Sequence, residues 1–379
     1  MTLILLSSFG GITSRSHFTQ KQLITLHLLL RQNVNKYTPP PPIIPTNAKI
    51  KVSSNQIGKV IYIIIKYIYY IIYTMKVKPI NKFKTQLPKA SAFTIETDED
   101  FPKLHTLTIA SGKRGGGKSV AIANLVKTAK DRGYYDRVYL ITPTYASNKS
   151  IWEICDIQEE DVYEPDINVL NQIKKNVETE KQEWEDFLKR KELYKKYKKD
   201  IKNTPFDKIK SGDILAYLEQ GFFDFEFNDK WKYDEERPPR LACIIDDCMG
   251  TDLMTKRTAG LTNLCIRHRH IGDGLGISLF MLVQSYCSRD GIPRPIRENT
   301  THLMLFKIND EGQIQKIKEE CDLPVTDEEW ETMCKYTHEK PFNYLFIDFS
   351  PKCETKRFRD GFDNYIVPDS LKDKCSCKK

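Results

Sequence analysis

The sequence predicts an α/β fold with a mostly parallel, doubly wound sheet and helices on both faces. Strand-like and helix-like segments alternate from residue 75 onward, which is typical of successive βαβ units. The strand-like segments are also nearly continuous apolar runs, as expected for strands that are covered on both faces. The predicted strands are 104–110, 137–142, 241–246, 277–283, 302–307 and 343–348.

The chain has 379 residues, enough for one large α/β domain with appendages. We predict this domain at residues 75–350, with a charged helical insertion at about 171–235 and a C-terminal tail at 351–379. Residues 171–203 contain 11 Lys or Arg and 7 Asp or Glu. Apolar side chains within this segment predict one or two exposed amphipathic helices. A solvated charged face and a DNA-facing surface are alternative interpretations of it.

Residues 1–74 differ in composition from the rest of the chain. The run at 60–73 uses only Val, Ile, Tyr and Lys. It is shorter than the roughly 20 apolar residues that a membrane span needs, and Lys66 interrupts it. Our hypothesis is that residues 1–74 are a non-native or disordered extension and that Met75 is the true start. An interfacial or membrane-anchoring segment is the alternative, and the sequence gives no firm reason to expect a membrane partner.

The charge and the cysteines set broad limits. The net charge of +8, from 59 basic and 51 acidic residues, is compatible with a polyanionic partner but does not require one. The ten cysteines show no paired CxxC spacing, so we predict neither a disulfide framework nor a zinc site. Cys243, Cys248 and Cys265 lie in or beside apolar runs, which is typical of buried free thiols in a reducing compartment.

The strongest motif is GKRGGGKS at residues 112–119, which matches G-x-x-x-x-G-K-[ST]. It follows an apolar strand and precedes a helical pattern, the context that a phosphate-binding loop requires. Glycines let successive backbone N–H groups face phosphate oxygens, and the helix N-terminus adds a positive field. We expect Lys118 to bridge the β- and γ-phosphates of ATP, and the Ser119 hydroxyl to coordinate Mg²⁺. The candidate nucleotide-binding residues are Gly112, Lys113, Arg114, Gly115, Gly116, Gly117, Lys118 and Ser119.

A second apolar strand ends in two acidic residues, Asp246 and Asp247. The first is expected to reach the Mg²⁺ shell beside Ser119. A second carboxylate can orient and deprotonate an attacking water, so we predict Asp247 to be the general base. Nucleoside kinases do not generally need such a group, because their acceptor is a bound hydroxyl. The pair therefore favours ATP hydrolysis.

A third strand, at residues 277–283, ends at the polar side chain Gln284. In the additional-strand class of P-loop NTPases, such a strand lies between the two strands that carry the phosphate loop and the acidic pair. Its terminal polar residue senses the γ-phosphate in that class. We therefore predict an additional-strand P-loop NTPase with Gln284 among its catalytic residues.

Taken in order, these motifs resemble a known family. GKRGGGKS, a strand ending LITPT, a strand ending DD, an RH pair, a strand ending in Gln and the segment IPRPIREN are similar to the genome-packaging ATPases of nucleocytoplasmic large DNA viruses and virophages. Those ATPases belong to the FtsK–HerA superfamily. The similarity covers roughly residues 100–310 and lies in the order and spacing of the motifs.

The resemblance implies a homo-oligomeric ring that hydrolyses ATP, with Mg²⁺, to drive double-stranded DNA into a preformed capsid. It also implies the viral factory in the host cytoplasm, and the virion, as locations of the protein, and capsid or portal proteins as partners. Asp246 and Asp247 match the Walker B positions, with Asp at the second position where many relatives have Glu. Gln284 matches the sensor. The Walker A positions correspond to Gly112, Gly117, Lys118 and Ser119.

The resemblance further assigns Arg297, in the segment PIREN, to the position of a residue that acts on a neighbouring subunit's nucleotide. Pro293 and Pro295 are expected to stiffen this loop and to hold the arginine side chain outward. Arg294 is a competing candidate for the same role. A surface arginine that pairs with Glu298 or another nearby acid is the structural alternative.

Three other functions remain open at this point. A DNA helicase or translocase that works outside packaging would use the same site chemistry. A nucleotide-dependent assembly switch would bind ATP with little turnover, but the Asp246–Asp247 pair argues against it. A small-molecule kinase would need a lid and an acceptor pocket, and neither is evident in the sequence.

Overall fold

The computed structural model describes most of the chain after the predicted N-terminal extension. The described residues are 95, 97–98, 100–224, 230–255, 259–287 and 291–372. The predicted extension at 1–74 and the proposed start at Met75 lie outside them. Among the described residues, no helix has the length and apolar character needed to cross a membrane.

The described part of the chain folds around one nine-stranded sheet. In chain order, its strands are β1 (Leu107–Ser111), β2 (Arg137–Ile141), β3 (Val162–Tyr163), β4 (Leu241–Asp246), β5 (Ser278–Val283), β6 (His302–Phe306), β7 (Tyr344–Asp348), β8 (Phe358–Asp360) and β9 (Asn364–Ile366). Their spatial order is β3-β2-β4-β5-β1-β6-β7-β8-β9. The first six strands in this spatial order are parallel to one another, and they are β3, β2, β4, β5, β1 and β6. The strands β7, β8 and β9 extend the sheet with antiparallel pairing.

The six predicted strands are all present, and their ends differ from the predicted ones by three residues at most. The strands β8 and β9 lie within 351–379, the segment that we predict to be a tail. The predicted domain boundary at residue 350 therefore falls inside the sheet. Strands of three residues are too short to produce the apolar run by which the other strands are recognised.

The helices are α1 (Lys118–Asp131), α2 (Tyr145–Trp152), α3 (Val169–Asn203), α4 (Ser211–Glu219), α5 (Asp252–Thr255), α6 (Ala259–Arg267), α7 (Ile271–Gly274), α8 (Arg294–Glu298), α9 (Glu311–Glu320) and α10 (Asp327–Glu339). They cover both faces of the sheet, as predicted. Ile122 and Val126 of α1 pack on one face, whereas Ile173 of α3 and Trp330 of α10 pack on the other. Every residue of β1, β4, β5 and β6 is buried, and burial on both faces explains why these strands are largely apolar.

The charged insertion contains one continuous helix of 35 residues, α3. Its first half joins the main core through apolar side chains from Val169 to Val177. Beyond Leu193 it packs with α4 in a separate small cluster around Tyr217 and Phe222. Residues 221–224 and 230–239, which lead back to β4, contain neither helix nor strand.

Candidate nucleotide-binding site

The site lies at the carboxyl edge of the parallel strands. Strand β5 lies between β1 and β4, the arrangement that we predict from the additional-strand class. Since parallel strands end at the same edge of a sheet, the loop after β1, Asp246 at the end of β4 and Gln284 after β5 converge there. These groups line one cleft of about 1170 Å³.

Two glycines of the phosphate loop are required by local geometry. A Cβ on Gly112 would lie 2.5 Å from Cβ of Phe306, so any side chain would clash with β6. Gly117 caps the N-terminus of α1 in the left-handed conformation, with φ of 91°. A backbone of this kind can turn its N–H groups toward an anion at the helix N-terminus, which suits a nucleotide triphosphate.

The ammonium group of Lys118 lies over the phosphate loop. Its Nζ donates hydrogen bonds to the carbonyl oxygens of Gly112, at 2.7 Å, and of Lys113, at 2.9 Å. Burial lowers the pKa of Lys118 from its ordinary value, and the charges of Asp246 and Asp247 counteract this effect. The lysine thus supplies a partly desolvated cation within the cleft.

Ser119 and Asp246 meet across the cleft. The Ser119 Oγ lies 3.3 and 3.4 Å from the two carboxylate oxygens of Asp246. Asp246 is only 4% exposed, and burial raises its pKa to about 6, with a further contribution from the charge of Asp247. Hydroxyl and carboxylate oxygens are ligands that Mg²⁺ prefers. A cation here would also stabilise the ionised form of the buried carboxylate, so these residues fit a magnesium site.

The predicted base and the predicted sensor are also close together. The Gln284 Nε2 lies 3.4 Å from Oδ1 of Asp247, at the long end of hydrogen bonding. Asp247 has a φ of 51°, a left-handed conformation that Asp adopts more readily than most residues. The turn directs the backbone away from β4 immediately after Asp246. Both side chains line the same cleft as the phosphate loop.

Arg297 does not join this cleft within its own chain. Its side chain is 14% exposed, and its Nε lies 2.8 Å from Oε2 of Glu320. This contact is an ion pair, because the Nε–H direction does not satisfy hydrogen-bond geometry. Nη1 donates to the carbonyl oxygens of Ile292 and Tyr286. The expectation that the proline-rich loop holds Arg297 outward is therefore wrong, since local carbonyls and Glu320 draw the side chain inward.

Arg294, the competing candidate, is on the surface. Its side chain is 80% exposed, and its Nε lies 2.8 Å from Oε1 of Glu298, one turn further along α8. A surface ion pair of this kind contributes little to stability and is readily exchanged for another partner. Of these two arginines, Arg294 is the one that a neighbouring molecule could contact.

Several residues that line the cleft were not predicted from the sequence. They come from the loop before β7 and from the turn between β8 and β9, and they are Phe342, Asn343, Phe362 and Asp363. These segments have no recognisable motif, and more than 200 residues separate them from the phosphate loop. Only the antiparallel extension of the sheet brings them to the site.

No protein-family model and no curated protein matches the chain. Among solved structures, it is similar to EssC (ATPases 2 and 3) from Geobacillus thermodenitrificans, at 13% identity and a TM-score of 0.37. That match covers 70% of this chain but only 39% of the EssC chain.

Two further matches cover about two thirds of this chain. The genome packaging NTPase B204 from Sulfolobus turreted icosahedral virus 2, in complex with AMPPCP, is 10% identical with a TM-score of 0.37, over 67% of this chain and 95% of B204. The pCW3 conjugation coupling protein TcpA is 14% identical with a TM-score of 0.32, over 66% of this chain and 59% of TcpA. The sheet order and the phosphate loop of this chain give it an α/β P-loop fold.

Proposed function

We propose that this chain is an ATP-hydrolysing motor that moves double-stranded DNA, and that it drives a viral genome into a capsid during virion assembly. The observation that carries the proposal is the convergence of Lys118, Ser119, Asp246, Asp247 and Gln284 in one cleft. Each of these residues has a distinct role in phosphoryl transfer to water.

In the proposed reaction, the phosphate loop and Lys118 hold the triphosphate in place. Magnesium bound by Ser119 and Asp246 would neutralise charge on the phosphates. Asp247 accepts a proton from the attacking water as the water oxygen bonds to the γ-phosphorus. The bond between that phosphorus and the bridging oxygen breaks, and ADP departs with the bonding electron pair. Gln284, beside Asp247, helps to orient the water, and general-base assistance is typically worth about 10²–10⁴-fold.

The second carboxylate is the feature that favours a motor over an assembly switch. A switch with little turnover needs a metal ligand, which Asp246 would provide, but no base. Asp247 lies within contact of Gln284 and faces the same cleft. The proposed function therefore includes repeated turnover.

A surface on α3 supports DNA as the partner. Lys195, Lys198, Lys199 and Lys202 are exposed, and helical spacing places them on one side of the helix; we name this surface the α3 lysine face. Among the described residues, the ion pairs include none of the four. By contrast, three neighbouring lysines each pair with a carboxylate: Lys189, Lys191 and Lys196. Lys198 also contacts an aromatic ring, since its Nζ lies 4.3 Å from the centroid of Tyr194. Exposed lysines whose charge is not neutralised by a carboxylate suit the phosphate backbone of duplex DNA.

The test is ATP hydrolysis measured with and without long duplex DNA over a range of salt concentrations. We expect duplex DNA to stimulate the wild type, and Lys195→Glu/Lys202→Glu to need at least about tenfold more DNA for the same stimulation. If two phosphate contacts are lost, the slope of log affinity against log salt should shrink by about 2. Hydrolysis without DNA should not change.

A matched control reverses two exposed lysines on other helices, Lys316→Glu/Lys335→Glu, and changes the net charge equally. Equal losses in both double variants would mean that net charge, and not the α3 lysine face, determines DNA binding. If duplex DNA at low salt does not change the rate of ATP hydrolysis by the wild type, the assembly switch would be favoured over the motor.

A packaging motor also needs a ring of subunits. A head-to-tail interface closes into a ring when its rotation allows, and the nucleotide then lies between neighbours. An arginine supplied by a neighbour is worth roughly 10³–10⁵ in rate in well-studied nucleotide hydrolases. With Arg297 bound to Glu320, we propose Arg294 for this role.

A further inference from the structure

Phe342 has an unusual combination of backbone and exposure. It lies in the loop between α10 and β7, with a φ of 60°. This left-handed conformation is rare for a bulky side chain. The side chain is 71% exposed, the largest exposed fraction among the large hydrophobic residues that the structure describes. A strained backbone that presents an aromatic ring to solvent beside a binding cleft points to a functional role for the ring.

Contacts on both sides fix this loop. The Asn343 Nδ2 donates a hydrogen bond of 3.1 Å to the carbonyl oxygen of Thr337 at the end of α10, and it also donates to Asp360 on β8. The Lys340 Nζ lies 2.6 Å from the Asp360 carboxylate. Because α10 and β8 both hold the loop, the backbone position of Phe342 is set by the fold.

The ring lies directly beside the phosphate loop. A Cβ on Gly117 would be 3.0 Å from Cβ and 3.3 Å from Cδ1 of Phe342. Gly117 caps α1, so the ring adjoins the first turn of the helix whose N-terminus faces the phosphates. A molecule that binds in the phosphate loop must therefore pass close to Phe342.

The order of the sheet indicates which end of the nucleotide meets this ring. The strands that carry the hydrolytic residues, β4 and β5, lie on one side of β1, and β6 and β7 lie on the other. With the γ-phosphate near Asp247 and Gln284, the ribose and base extend toward β6 and β7. Phe342 immediately precedes β7, and Phe362 lines the cleft on the same side.

We propose that this aromatic end of the cleft binds the nucleobase, and that Phe342 is a platform on which a purine stacks. The inference rests on the proposed function, since it requires a nucleotide in the phosphate loop. Every base has a π-face, so stacking alone tolerates different bases, and a purine covers more of the ring than a pyrimidine. Phe342 therefore contributes to affinity for the nucleoside part and leaves the phosphate contacts unchanged.

The experiment compares the binding of ATP and of inorganic tripolyphosphate, which has no base, by titration calorimetry. Phe342→Ala should weaken ATP binding by about 5- to 150-fold, as expected for the loss of one base–aromatic stack. Binding of tripolyphosphate should stay within about twofold of the wild type, and Phe342→Trp should restore ATP affinity. The matched control is Phe206→Ala, which removes an exposed phenylalanine, 59% exposed, that does not line this cleft.

Two results would overturn the proposal. One is unchanged ATP affinity in Phe342→Ala. The other is an equal loss for ATP and tripolyphosphate, which would mean that the substitution acts through the adjoining Gly117 and the phosphate loop. Failure of the proposed function has a different signature. In that case, Lys118→Ala would bind both ligands as the wild type does, whatever the behaviour of Phe342.

Discussion

Replacing Asp246 with Asn should make the metal-free protein more stable. Asp246 is 4% exposed, and burial, together with the nearby charge of Asp247, raises its pKa from 3.8 to about 6. The ionised carboxylate is therefore less favourable in the folded protein than in the unfolded chain. Asn removes the charge, keeps the shape of the side chain, and can still bond to the Ser119 hydroxyl.

The magnitude follows from linkage. A folded pKa of about 6, against an ordinary value of 3.8, corresponds to a cost of about 3 kcal/mol once the carboxyl group is ionised in both the folded and the unfolded chain, since a tenfold change in proton affinity is about 1.36 kcal/mol. Because the folded pKa is raised, the ionised carboxylate destabilises the folded protein above about pH 6. This destabilisation decreases as the pH falls through about 6 and the carboxylate becomes protonated. The advantage of Asp246→Asn should fall from about 3 kcal/mol at pH 8 to roughly half of that at pH 5, and most of it should be gone at pH 4.

Urea unfolding of the wild type and of Asp246→Asn, at these three pH values with a chelator present, measures this difference. Asp246→Asn should also lose the dependence of nucleotide binding on Mg²⁺, so the gain in stability accompanies a loss of function. A variant that is no more stable than the wild type at pH 8, or a difference that grows as the pH falls, would refute the assigned electrostatic cost.

Asp247→Asn should bind ATP with Mg²⁺ as the wild type does but hydrolyse it about 10²–10⁴-fold more slowly, which single-turnover kinetics would measure. Equal defects in ATP binding and in hydrolysis rate would contradict the role of Asp247 as the general base. Arg297→Ala should lower the free energy of unfolding by about 1–3 kcal/mol, because it removes a largely buried guanidinium that pairs with Glu320 and donates to the carbonyl oxygens of Ile292 and Tyr286. Arg294→Ala should leave the free energy of unfolding within about 0.5 kcal/mol of the wild-type value but should abolish most ATP turnover. When Arg294→Ala and Lys118→Ala subunits are mixed, some ATPase activity should return, because intact Lys118 sites then meet neighbours with an intact Arg294. Full activity of Arg294→Ala alone would contradict the assignment of Arg294 to a neighbour's nucleotide.

The parts of the site that could be predicted from the sequence are encoded locally. The phosphate loop is recognisable because Gly112, Lys118 and Ser119 occur at fixed spacing between a strand and a helix. Asp246 and Asp247 are recognisable because they end a buried apolar strand. Such signals depend on neighbours in the chain, and the structure brings Lys118, Ser119 and the two acidic residues into one cleft.

The parts that could not be predicted depend on contacts between distant residues. Arg297 finds its carboxylate partner in Glu320, 23 residues further along the chain, and no spacing rule distinguishes this acid from Glu298. Phe342 reaches the cleft only through the antiparallel strands beyond β6. Its backbone is left-handed, a conformation that Asn and Gly adopt far more often than Phe does. Sequence patterns contain no signal for either arrangement.

Movement along duplex DNA is measured most directly by displacement of a third strand from a triplex at the end of a long duplex. With ATP and Mg²⁺, the wild type should displace the third strand at a rate that increases with ATP concentration. Lys118→Ala should leave the triplex intact under the same conditions, and so should the wild type without ATP. Rapid ATP hydrolysis by the wild type at saturating DNA, with the third strand still in place, would contradict the proposal that this chain is a DNA-translocating motor.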